Sequence, residues 1–171
     1  TTTYRTFNGA ISYISRSNVP NITVGYLNAS NTNGLQNSSS AVDDVTNRVF
    51  IQLGHAFTLG AQQDATLNVS TSSRDDNTVR DLDSRTTTIS LSTLTTYRIP
   101  LQTSASVSYM SNEFGPSTGS TTIKYTTVYA NAIYRFAEPN LRLMASLSPT
   151  FGDIKRTVME AGAQYFLTKN L

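Results

Sequence analysis

Apolar and polar residues alternate repeatedly along this chain. In DATLNVSTSS, Ala65, Leu67 and Val69 interleave with Thr66, Asn68 and Ser70. In TSASVSYMSN, Ala105, Val107 and Tyr109 interleave with Ser104, Ser106 and Ser108. LRLMASLSPTF sets Leu141, Leu143, Ala145, Leu147 and Phe151 against Arg142, Ser146, Ser148 and Thr150. RVFIQLGHAFTL sets Val49, Ile51, Leu53, Phe57 and Leu59 against Gln52, Gly54, Ala56 and Thr58. A period of two places one face of each segment in apolar surroundings and the other in polar ones, the signature of a β-strand. Extended over the whole sequence, the pattern predicts about nine strands, near 4–15, 22–30, 48–59, 65–73, 86–98, 103–112, 122–136, 141–151 and 157–167. VTNRVFIQLGHAF is the one segment that a helix could claim, and its β-branched and aromatic content favours a strand.

The connections sort into two kinds. SRSNVPN, LGAQQ, RIPLQ, FAEPN and TKN are short; NTNGLQNSSSAVDDVTN, RDDNTVRDLDS, EFGPSTGST and GDIKRT are longer and more polar. The kinds alternate, so tight turns gather at one end of the strands and loops at the other. This predicts a single all-β domain over residues 1–171, an antiparallel up-and-down meander of about 8–10 strands. A Greek-key sandwich also turns every 8–12 residues or so, but it does not sort its connections in this way.

Composition changes the reading of the polar face. Charged residues are 14% of the chain, against about 25% in ordinary soluble domains, and Thr and Ser make roughly a quarter. The water-facing side of a soluble sheet usually carries Lys and Glu; here Thr, Ser, Asn and Gln stand in those positions, and most charges fall in connections or at strand ends. Aromatic residues also collect at strand ends: Tyr13, Phe57, Tyr97, Tyr134, Phe136, Tyr165 and Phe166 near the turns, and Tyr4, Phe7, Tyr26, Phe50, Tyr109, Tyr125 and Phe151 near the loops. Two aromatic belts match the two water–lipid interfaces of a bilayer. No run approaches the roughly 18 apolar residues of a transmembrane helix, but a tilted strand crosses in about 9–11 residues and shows lipid every second side chain. The net charge of +2 is small and dispersed, which argues against a nucleic-acid partner.

With this strand grammar, segments such as VYANAIYRFAEPNLRLMASLSPTF and VMEAGAQYFLTKNL resemble bacterial outer-membrane β-barrel proteins. The resemblance covers essentially the whole chain and is to the class. It implies a transmembrane barrel with short periplasmic turns, long extracellular loops, a lipid bilayer as partner and the bacterial outer membrane as location. One departure bears on closure. The predicted strands run from the loop side to the turn side and are odd in number, whereas a single-chain bacterial barrel has an even number. Two expectations follow: a complete transmembrane barrel with one strand hidden from this reading, or, favoured, a segment of a larger barrel with other barrel segments or subunits as partners.

Candidate chemistry is sparse. Without cysteine, thiol chemistry and disulfides are excluded. His55, the only histidine, falls on an apolar face beside Leu53 and Phe57, so no catalytic residue is assigned. The loop RDDNTVRDLD gathers Asp75, Asp76, Asp81 and Asp83, hard oxygen donors of the kind that bind calcium. Its spacing is not that of an EF-hand and Arg74, Arg80 and Arg85 offset its charge, which favours a solvated, self-paired loop. Asp43 and Asp44 are a lesser version of the same cluster. Arg142 and Glu160 are predicted on the polar faces of neighbouring strands, as a lumen ion pair or as groups that tune ion selectivity. No cofactor motif is present. The expected function is a non-enzymatic outer-membrane pore, transport channel or membrane anchor. The alternative is a soluble or fibrous β-rich surface protein, either an adhesin or a carbohydrate-binding sandwich.

Overall fold

A computed structural model describes residues 2–14, 19–33, 43–58, 61–78, 83–115, 119–138 and 140–166. They form nine strands: β1 (Thr2–Tyr13), β2 (Asn21–Asn33), β3 (Asp43–Thr58), β4 (Gln62–Asp76), β5 (Ser84–Thr96), β6 (Leu101–Phe114), β7 (Thr121–Phe136), β8 (Leu141–Gly152) and β9 (Arg156–Tyr165). Each pairs antiparallel with the next, in one sheet ordered β1 to β9. The meander is as the alternation predicts. The sheet is open: β1 and β9 are its two edges and do not pair with each other.

Three details differ from the sequence reading. First, β2, β3 and β4 run several residues into segments read as loops, because their polar ends pair across strands. Thr32 Oγ1 donates to Asp43 Oδ1 at 3.2 Å, and Asn28 Nδ2 and the Tyr26 hydroxyl donate to Asn47 Oδ1 at 2.7 and 2.9 Å. Second, connection lengths alternate only in the middle of the chain. The stretch 14–20 between β1 and β2 is as long as 77–83 between β4 and β5, and 153–155 between β8 and β9 is short. The short loop works because Gly152 adopts a φ of 114°, and a side chain there would meet the Lys124 carbonyl. Asp153 then closes the end, its amide donating to Lys124 O at 2.9 Å and its Oδ2 accepting from Lys124 N at 2.7 Å. Third, Pro149 interrupts the β7–β8 ladder opposite Val128 while the register on either side is kept, as expected of a residue with no amide hydrogen to donate.

Among the described residues no second layer covers the sheet. Among the described residues Ala61 is the only buried hydrophobic side chain. The chain exposes 12048 Å², against about 8,200 Å² for a compact monomer of its mass. Most of the large apolar side chains that alternate along the strands lie on one exposed face, including Leu91 at 50%, Val107 at 47% and Leu147 at 40%. Along β6 and β8 the smaller polar residues between them, such as Ser106, Ser108, Ser146 and Ser148, are the more covered. Coverage of these serines by neighbours on their own side fits a sheet that curls toward its polar face.

Candidate functional site

The register builds two continuous surfaces. On the apolar face one ladder row runs Tyr13, Ile22, Leu53, Leu67, Leu91, Val107 and Val128 from β1 to β7. Toward the loop end, the next row holds Ile11, Val24, Ile51, Val69, Ile89 and Tyr109. Two rows further the same face is polar from β2 to β7: Asn28, Asn47, Ser73, Arg85, Glu113 and Thr122. The apolar surface is thus a band with a polar edge, interrupted by Thr93, Thr95 and Thr103. At its turn side lie Tyr13, Phe57, Tyr134, Phe136 and Tyr165; at its loop side lie Phe7, Tyr26, Tyr109 and Phe151. Phe7 and Tyr26 sit 6.4 Å apart, and Tyr134 and Phe136 meet edge to face at 4.7 Å. His55 belongs to this face and stacks on Phe57 at 5.9 Å.

Three aromatics assigned to the loop-side belt fall on the opposite face: Tyr4, Phe50 and Tyr125. Their work is local. The Phe50 ring lies over Gly25, its register partner, where a Cβ would collide with Cζ and Cε1. The Arg48 guanidinium stands 5.9 Å from the same ring centroid. The Tyr125 hydroxyl donates to Met110 Sδ at 2.8 Å.

The polar face carries hydroxyl and amide groups through the middle of the sheet, with cross-strand pairs such as Ser12–Thr23 and Thr127–Thr150, each at 3.0 Å. At its loop end, Arg74 and Asp44 form an ion pair at 2.5 Å. Of the acidic loop's four candidates, Asp75, Asp76 and Asp83 are among the described residues. Asp75 and Asp76 are consecutive strand residues and point to opposite faces. Asp76 is buried; its amide donates to Asp83 Oδ1 at 2.8 Å, and its Oδ1 accepts from Thr78 N at 3.1 Å. Asp81 lies outside the described residues. Among those described, no group of three His, Cys, Asp or Glu residues can hold a metal ion. Asp76 and Asp83 serve the turn.

Arg142 and Glu160 both lie on the polar face of adjacent strands, as the alternation predicts, but they form no ion pair. Arg142 is in register with Gln164, and Glu160 with Ser146, four residues along. The Ser146 hydroxyl lies 3.5 Å from Glu160 Oε2. Both charged residues border a hollow of about 470 Å³ that is also lined by Tyr129, Asn131 and Ser146. The sequence reading missed Arg135, the direct register partner of Arg142 on the same face. The signal was available: Arg135 and Arg142 each stand two residues outside the short connection 137–140, which fixes them as opposite neighbours.

Comparison with protein-family models, with curated proteins and with solved structures gave no significant match.

Proposed function

We propose that this chain is an arc of a transmembrane β-barrel of the bacterial outer membrane, acting as a pore, transport channel or membrane anchor. The observation that carries the reading is the inversion of the sheet. Its apolar face is exposed and outside the curl, and its polar face is inside. In water that arrangement leaves the hydrophobic effect unused; in a bilayer the apolar face meets lipid and the Ser/Thr/Asn face lines a lumen.

The dimensions support it. The row that contains Tyr13, the last residue of β1, reaches Thr157 on β9, eight residues short of Tyr165, the last residue of β9. If these turn-end tyrosines share one membrane depth, the strands stagger by one residue at each of eight steps. A rise of about 3.3 Å across a strand spacing of about 4.8 Å is a tilt of about 35°, within the roughly 35–45° of such barrels. The band on β3 runs nine residues, from Phe57 to Val49, or eight rises. That is about 26 Å along the strand, or about 22 Å across the membrane after tilt, near the roughly 25 Å expected.

The open edges fit the same reading. A bilayer offers no water to the unpaired amides and carbonyls of β1 and β9, so both edges need strands. β1 and β9 run in the same direction, so joining them directly would make a parallel seam. An antiparallel barrel takes an odd number of further strands between them, contributed by other barrel segments or subunits. Detergent dependence is the test. The protein should need detergent or lipid to stay monodisperse and should migrate differently in a gel before and after heating. A detergent-free soluble species, with sheets packed face to face, would favour the soluble β-rich surface protein instead.

A further inference from the structure

We propose that Arg135 and Arg142 form a binding site for a small oxyanion, phosphate or carboxylate, at the turn end of the polar face; the site rests on the barrel reading above, in which that face lines the lumen. The two arginines are opposite each other in the β7–β8 ladder and belong to the same face. Like charges in that relation repel, and nothing in the described structure offsets them. The ion pair at hand, Arg74–Asp44, lies at the other end of the sheet. Glu160 is displaced from Arg142 by four residues along the strand and is near the Ser146 hydroxyl. Glu138, in the connecting turn, makes no ion pair with either arginine.

A second observation points to a missing acceptor. Arg142 Nε is buried and has no hydrogen-bond partner. A guanidinium donor withdrawn from water and left unpaired is unfavourable, and an oxyanion accepting from Nε and one terminal nitrogen removes that cost. The next position in the row, Gln164, adds an amide donor in register with Arg142. Two fixed forks and an amide suit an oxygen anion with several acceptor atoms better than chloride, which has one centre and no directional pair of lone-pair sites.

The test uses the full-length protein, folded in detergent and checked by its heat-dependent gel migration, with inorganic phosphate and acetate as probes at constant ionic strength set by chloride. Titration calorimetry should show phosphate binding to the unaltered protein. Arg142→Gln and Arg135→Gln should each weaken it roughly tenfold or more, as expected for loss of a charge-assisted bond. Arg142→Lys, which keeps the charge without the fork, should recover part of the affinity. Acetate binding at comparable strength would mark the site as one for carboxylates, such as a side chain from a neighbouring strand; much weaker acetate binding would mark it as a phosphate site. Normal gel migration with no binding of either anion overturns the site and leaves the barrel reading intact, as does binding that is equal in all variants. Absence of the migration shift in the unaltered protein overturns the barrel reading itself.

Discussion

Gly25 and Phe50 illustrate how single residues shape this sheet. The ring needs the bare backbone beneath it, so Gly25→Ala forces the Phe50 ring aside. The expected loss is about 1–3 kcal/mol of stability, as for overpacking elsewhere. Denaturant unfolding of the protein in detergent measures it, and the same substitution in a Phe50→Ala background should cost markedly less. Leu91 and Ser90 make a second contrast, one residue apart on opposite faces of β5. Leu91 lies in the row that is apolar from β1 to β7, so Leu91→Arg should destabilise the inserted protein by about 2–4 kcal/mol, the cost of an arginine near the bilayer midplane. Ser90→Arg, facing the wet side, should cost much less. Equal costs in refolding titrations would contradict the face assignment.

Strands were the most legible elements in the sequence, because the period of two survives along each of them. All nine were readable, and so was the face of each residue from Leu67 and Val69 to Leu143 and Leu147. Strand ends were less legible. Asn31, Thr32, Asp44 and Thr46 look like loop residues by composition, and only cross-strand bonds such as Thr32–Asp43 make them strand. β3 and β4, 16 and 15 residues long, therefore exceed the roughly 9–11 residues of a bilayer crossing by about five, or about 16 Å. On the membrane reading this polar extension stands above the lipid on the loop side. Amide exchange there should be slow despite full contact with water, because the amides are paired; fast exchange at Thr46 or Ser72 would show that the extension frays. The candidate site was legible in part. Alternation found Arg142 and Glu160 on one face but carried no register, so it paired them wrongly and passed over Arg135. The Asp75–Asp83 loop was legible in part: alternation sends Asp75 and Asp76 to opposite faces, and Asp81 lies outside the described residues.

For the molecule as a whole, function depends on closure and on which face meets lipid. If the sheet is an arc of a barrel, the outer amides of β1 and β9 should be protected from exchange in the membrane-inserted assembly and unprotected in any isolated sheet. If the lumen conducts, Glu160→Gln should move the reversal potential of inserted protein toward anion selectivity without preventing insertion. Both expectations depend on the inverted arrangement of faces, and spin labelling in lipid vesicles tests that arrangement most directly. Labels placed singly at Leu143, Leu147 and Val107, and at Ser146 and Ser106, report collision with oxygen, which concentrates in lipid, and with a polar nickel chelate, which stays in water. The account predicts high oxygen and low nickel accessibility at the leucine and valine positions, with the reverse at the serines. Nickel access at Leu143 and Leu147, together with oxygen-rich surroundings at Ser146, would contradict it.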